Sequence, residues 1–209
     1  MLPMVVDLAR LKLVLIGNGA AAERRLRLLD AAGAADLAVY ADDPSPALAL
    51  AAGTRLVRRP PTAQELAAAR IVFISDKTEP RCRDFAAGAR AGGALVHVED
   101  EPGLSDLHAP AVLRRGALTI AVSTGGKAPG LAARVKNFLG ALFGPEWQGR
   151  LDELAALRQG WRKSGADAET VAQWTDSWVS HEDWLPAGDQ LPMTAPSADG
   201  AGFRPGARH

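Results

Sequence analysis

The sequence predicts an α/β fold: a doubly wound parallel sheet, followed by a small α+β domain and a C-terminal helical segment. Three observations predict it. Short apolar runs alternate with helix-like segments over residues 1–100. The connections between them are short, as βα turns are. A glycine turn joins the first apolar run to the first helix.

Lys12–Gly17 is a continuous apolar run ending in glycine, the pattern of a strand covered on both faces. Ala20–Ala32 follows as an amphipathic helix, with Leu26, Leu28 and Leu29 among Glu23, Arg24, Arg25 and Arg27, and Gly33 stops it. Leu37–Ala41 and Thr54–Arg59 read as the second and third strands. Thr62 and Glu65 have capping-box spacing and open a helix through Arg70. Ile71–Ser75 is the clearest buried strand, Glu79–Ala91 is helical, and Ala94–Val98 is a fifth strand. Beyond a polar loop, Glu101–Ala109, the pattern predicts a short helix over Pro110–Arg115, a strand over Leu118–Thr124 and an amphipathic helix over Leu131–Phe143. Leu151–Trp161 and Ala168–Trp178 read as helices with aromatic faces, the tryptophans serving packing or an interface. These elements divide the chain into residues 1–109, 110–144 and 145–184, with an aperiodic tail, 185–209, expected to be disordered.

Ligands of such sheets bind at the carboxyl ends of the strands. Here those ends are Gly17–Gly19, Asp42 and Asp43, Ser75 and Asp76, and Glu99 and Asp100. Gly17-Asn18-Gly19-Ala20-Ala21-Ala22 fits the G-x-G-x-x-[G/A] turn of a Rossmann-like, dinucleotide-binding unit. The first glycine permits the tight turn, the second lets backbone approach a pyrophosphate, and Ala22 lets the helix pack close to the strand. Asp42 stands at the distance expected of the carboxylate that accepts ribose hydroxyls and repels a 2′-phosphate, so NAD is the expected cofactor.

Composition narrows the functional classes. The net charge is +0, which disfavours a nucleic-acid binder, although residues 1–145 carry +4 and 146–209 carry −4. Cys82 is the sole cysteine, so an intrachain disulfide and a cysteine metal site are excluded, and His97, His108 and His181 lack zinc-site spacing. No metal ligand set is expected. Apolar runs are strand-sized and the N-terminus lacks the pattern of a signal peptide, so a soluble, cytoplasmic protein without membrane contact is expected. Asp100 reads either as an acid/base group or as a turn or cap carboxylate, and spacing alone favours the second. Arg114, Arg115, Lys127, Arg134 and Lys136 read as a solvated basic face or as a dock for a polycarboxylate. Ser123-Thr124-Gly125-Gly126-Lys127 is an anion nest or a strand-ending turn.

Three further stretches, in order, are distinctive: Val96-His97-Val98-Glu99-Asp100, Pro110–Gly116, and Ala121-Val122-Ser123-Thr124-Gly125-Gly126-Lys127-Ala128-Pro129. With the opening Leu2-Pro3-Met4-Val5-Val6-Asp7-Leu8 and the glycine turn, they make the chain resemble, from Leu2 to about Phe143, the precorrin-2 dehydrogenase family. That family is the N-terminal module of siroheme synthase, and some members are also sirohydrochlorin ferrochelatases. The resemblance implies NAD-dependent oxidation of precorrin-2 to sirohydrochlorin on the route to sirohaem or cobalamin, with Fe²⁺ as a further substrate where chelation is retained. It implies that Asp100 is the essential aspartate and that Ala20, Ala21, Asp42 and Asp43 contact the dinucleotide, as would Gly17, Asn18, Gly19, Ser75 and Asp76 at the strand ends. It implies a tetrapyrrole site drawing on His97, Arg114, Arg115, Thr124, Gly125 and Lys127, and a homodimer formed through Pro110–Gly144. The chain departs from the pattern at His97 (usually asparagine), Asn18 (commonly glycine) and Ala128 (usually serine or threonine). Nothing in 147–184 matches it, and any uroporphyrinogen methylation is expected to come from another protein. A non-catalytic dinucleotide sensor, or a tetrapyrrole carrier, is the alternative.

Overall fold

The computed structural model describes residues 2–76 and 81–185. Strands β1 (Lys12–Ile16), β2 (Asp36–Tyr40), β3 (Leu56–Val57), β4 (Ile71–Ile74) and β5 (Leu95–Val98) form one sheet in the order β3-β2-β1-β4-β5. Every pairing is parallel. Helices α1 (Ala20–Ala31), α2 (Pro46–Ala52), α3 (Ala63–Ala68) and α4 (Cys82–Ala91) are the crossovers.

The continuous apolar runs are explained by cover on both faces of the sheet. Leu13, Leu15, Val39 and Phe73 point to one face, where Ala22, Leu26 and Leu29 of α1 and Leu48 of α2 meet them. Val14, Ile16, Val72, Ile74 and Val96 point to the other, against Leu66 of α3 and Phe85, Ala86 and Ala89 of α4. Buried Cys82 belongs to this second layer as a small apolar residue.

Beyond the sheet lie β6 (Ala111–Arg115), β7 (Leu118–Val122), α5 (Pro129–Leu142), α6 (Trp147–Lys163) and α7 (Ala168–His181). The described residues form two compact units: 2–114 with 119–144, and 115–118 with 145–185. In the second unit the tryptophans pack within the helical pair. Trp161 meets Trp174 edge-on, with 5.6 Å between ring centroids. The Arg150 guanidinium lies over Trp147 and Trp184, which meet each other edge-on. Asp167 caps α7 by accepting the Thr170 N–H.

Several local readings are corrected. Pro110–Arg115 is not helical: Ala111–Arg115 is β6, paired with β7 across a two-residue turn that opens on Gly116 at φ +58°. A glycine at that position suits a tight hairpin, and the pairing takes precedence over the helical reading of Ala-Val-Leu. The third strand shrinks to Leu56–Val57 because Gly53–Arg55 winds into a 3₁₀ turn. Helix α2 lies in a stretch for which no element was expected; Ser45 caps it, its Oγ accepting the Leu48 N–H. The capping box at Thr62 and Glu65 is present, but α3 stops at Ala68 so that the Arg70 N–H can donate to the Lys12 carbonyl and enter the sheet. Of the expected tail, 186–209 lies outside the described residues, as do Glu79 and Pro80 of the expected helix. No helix among the described residues is long and apolar enough to cross a membrane.

Helices α3 and α4 approach most closely at Gly92, where an added Cβ would stand 2.3 Å from the Ala67 Cα and 2.8 Å from its carbonyl oxygen. Backbone cannot move aside as a side-chain tip can. Gly92→Ala is therefore expected to cost at least ~1–3 kcal/mol of stability, read as a lower urea midpoint at unchanged m-value.

Candidate functional site

The strand order reverses between β1 and β4, and the crevice at their carboxyl ends is where ligands of this architecture bind. Gly17 leaves β1 at φ +151° while its N–H still donates to the Tyr40 carbonyl of β2. A Cβ there would stand 3.1 Å from the Ala22 Cβ and 3.5 Å from the Asp76 nitrogen, so glycine lets α1 start close against the sheet. Gly19 is the N-cap of α1, and a Cβ on it would meet nothing within 4 Å. With no side-chain cap, the first turn of α1 keeps its amides and the positive end of its dipole for a ligand, an arrangement that fits a diphosphate.

Asn18 ties this turn to the end of β2. Its Oδ1 accepts the Asp43 N–H at 3.1 Å, and its carbonyl accepts the Ser45 N–H at 2.7 Å. Asp42 is held below the usual carboxylate range, first by hydrogen bonding to the Asn18 side chain and further by Arg81, whose Nη2 is 3.2 Å away. Asp42 is thus an ionised acceptor at neutral pH. A shallow groove here is lined by Gly17, Asn18, Asp42, Arg59, Pro60 and Arg81. The flat Pro60 and the guanidinium of Arg81 over Phe85 (5.2 Å to the ring centroid) suit an aromatic base. Sequence reading missed Arg59, Pro60 and Arg81, which only the fold brings to this groove, the first two beyond β3 and Arg81 at the start of α4.

A larger cavity of about 360 Å³ opens beyond the carboxyl end of β5. It brings together Asp100, His97 and Thr124 of the expected site with Arg25, Glu99 and His108. Asp100 is the third residue of a turn closed by the Glu101 N–H on the Val98 carbonyl, and its φ is +58°. A left-handed residue with a Cβ costs roughly 1–2 kcal/mol, least for Asp and Asn, and such outliers gather at functional sites. The following segment folds back along β5: Ser105 Oγ accepts the Val98 N–H and donates to its carbonyl, while Asp106 accepts the Val96 N–H.

Behind Asp100 stands a buried charged cluster. Arg25 of α1, 7% exposed, donates from Nη2 to Glu99 Oε2 at 2.7 Å and to His97 Nε2 at 2.8 Å. His97 Nδ1 in turn donates to the Leu107 carbonyl at 3.0 Å. The guanidinium lies over the Phe73 ring, 5.5 Å from its centroid, and His97 meets the same ring edge-on. The His97 ring, 3.7 Å from the carboxylate, and the Arg25 guanidinium hold Glu99 down to about 2 against its burial.

The other expected residues are placed differently. Ala20 and Ala21 open α1, and Ser75 is buried at the end of β4 with Asp76 beside the glycine turn. Gly125 and Lys127 belong to the turn around Thr124 but do not line the cavity, whereas Gly126 does. Arg114 donates to Thr119 across the hairpin, and Arg115 falls in the second compact unit. The cavity's charge is therefore carried by three consecutive acids, Glu99, Asp100 and Glu101, facing Arg25 and two histidines. Among the described residues no group of three or more His, Cys, Asp or Glu is placed to hold a metal ion.

Comparison with known proteins follows the same division. Residues 4–111 match a family described as "Putative NAD(P)-binding", and residues 115–142 match the sirohaem biosynthesis protein central family. The siroheme synthase 2 of Aeromonas salmonicida is 32% identical over 203 residues, which is 88% of this chain and 42% of that protein. The siroheme synthase of Chromobacterium violaceum is 36% identical over 152 residues, covering 71% of this chain and 32% of that one. The chain thus spans less than half the length of these curated relatives. The solved structure of SirC, a precorrin-2 dehydrogenase, superposes with a TM-score of 0.70 over 89% of this chain and 93% of that one, at 18% identity, and so shares the fold.

Because Glu99 titrates lower in the folded chain than its ordinary 4.5, its pairing stabilises the fold fully above that pH. The contribution fades as the pH falls from about 4.5 to about 2. Glu99→Gln, which strands the buried Arg25 charge, should lower stability by about 3 kcal/mol at pH 7. Urea titrations should show that deficit shrinking toward zero across the same window.

Proposed function

Since this chain belongs to the sirohaem-biosynthesis family, through its NAD(P)-binding region and the central region that follows, we propose that it oxidises precorrin-2 to sirohydrochlorin. NAD⁺ would be the oxidant. The observation that carries this reading is the left-handed Asp100 in a cavity at the end of β5, in the same sheet whose β1–α1 turn is built for a dinucleotide. Converting precorrin-2 to sirohydrochlorin removes two hydrogens, one as hydride and one as a proton. Bound NAD⁺ supplies the hydride acceptor. Gly17, Gly19 and the amides of α1 would hold its diphosphate, and Asp42 and Asn18 the ribose beside the adenine. The Asp42 carboxylate favours a free ribose hydroxyl over a 2′-phosphate.

Asp100 would take up the proton, as a carboxylate on the cavity wall. Thr124 and His97 would line the macrocycle's seat, and Arg114, Gly125 and Lys127 would meet its carboxylates. The protein would be a homodimer built through 110–144. The exposed apolar stripe Leu131, Val135, Phe138 and Leu142, on one face of α5, supports this. A second reading, insertion of Fe²⁺ into the product, is favoured by the acids Glu99, Asp100 and Glu101, which would attract a cation toward the bound macrocycle.

The decisive assay mixes the protein anaerobically with precorrin-2 and NAD⁺. Sirohydrochlorin and NADH should appear together, and Fe²⁺ added afterwards tests chelation. Asn tolerates the left-handed region as Asp does, so Asp100→Asn should fold normally and bind NAD⁺ normally while turnover falls at least ~100-fold. Unchanged turnover would rule out Asp100 as the proton acceptor. Phe138→Glu should shift the protein to monomer in sedimentation, and a dimer that survives it would remove α5 from the interface.

A further inference from the structure

Arg25 is an expensive residue where it stands. It is nearly fully buried, its Nε finds no hydrogen-bond partner, and it rests on an aromatic ring. Apolar replacement of a buried ion pair is often neutral or stabilising, so stability alone accounts poorly for it. Its location offers a better account. It sits on the helix whose N-terminus forms the dinucleotide turn, and it grips the two residues that bracket Val98 just before Asp100.

We propose that Arg25 is a positioning residue for Asp100, and that it thereby registers the proton acceptor against the dinucleotide helix. Glu99 is the second residue of the turn in which Asp100 is the third, so fixing the Glu99 side chain fixes the plane of that turn. His97 anchors the same turn from the strand side, clamped between Arg25 and the Leu107 carbonyl. Ser105 holds the opposite edge through both backbone groups of Val98. With the turn held from both sides, the left-handed backbone of Asp100 is kept in place and its carboxylate stays at the cavity wall. The ion pair makes the spacing between α1 and the end of β5 independent of the loop that carries the acid.

This role rests on the dehydrogenase reading, and the test separates the two. The double variant Arg25→Met with Glu99→Leu removes the buried charges together and keeps their bulk, so folding is preserved. It should bind NAD⁺ as the wild type does and keep KM for precorrin-2 within about threefold, while kcat falls about tenfold to a hundredfold. Arg25→Lys, which keeps the charge on a shorter side chain whose ammonium cannot reach where Nη2 stands while the Phe73 ring loses the planar guanidinium, should lie between the two. Wild-type kcat in the folded double variant would overturn the positioning role and leave the function standing. Absence of turnover in the wild type would overturn the function instead. In that case the Asp100 carboxyl carbon resonance decides, identified by its loss in Asp100→Asn: it should move in the double variant, and an unmoved resonance would overturn positioning.

Discussion

Much of this structure depends on one close approach. At Gly17 the backbone of β1 turns within contact of Ala22, on the first turn of α1, and of the Ser75–Asp76 backbone leaving β4. A Cβ there would crowd Ala22, so glycine lets α1 begin close to the carboxyl end of β1 and pack over Leu15, Val39 and Phe73. That placement aims the helix amides at the crevice and carries Arg25, two turns from the glycines, to the top of the Phe73 ring and the end of β5. The dinucleotide turn and the Asp100 turn are thus two ends of one rigid connection.

What was legible in the sequence follows from how local each feature is. The parallel strands announce themselves as apolar runs because both faces are covered, and β1, β2, β4 and β5 lie where the runs are. The glycine turn is legible because it is constrained within six consecutive residues. Asp100 and Thr124 were found through a motif, and the fold brings both to one cavity. Arg25 was missed because its charge suggested solvent, although it stands three residues after Ala22 and four before Leu29 on the buried face of α1; its partner Glu99 is 74 residues away. Helix α2 was missed because an Ala-Leu stretch has almost no polar contrast from which to read a face. β6 was misread because Ala-Val-Leu after proline suits either state, and only the Gly116 turn and the strand beyond decide it.

The electrostatics of the cavity divide its labour in space. Arg25 is consumed within the protein by Glu99 and His97, so its charge serves alignment. Glu101 and Asp100 line the cavity, while Arg114 belongs to the hairpin and Lys127 to the turn around Thr124.

The segment after Asp100 has a consequence beyond catalysis. β5 is the last strand of the sheet, and its outward-facing backbone groups would ordinarily be open to another strand. Here the Asp106 carboxylate takes the Val96 N–H, backbone N–H groups of Asp106 and Leu107 donate to the Val96 carbonyl, and Ser105 satisfies both groups of Val98. Two side chains and a bend therefore imitate a sixth strand without presenting a new edge. The sheet is closed to edge-to-edge growth on this side, which protects an apolar, parallel, slow-pairing sheet from aggregation while the chain folds.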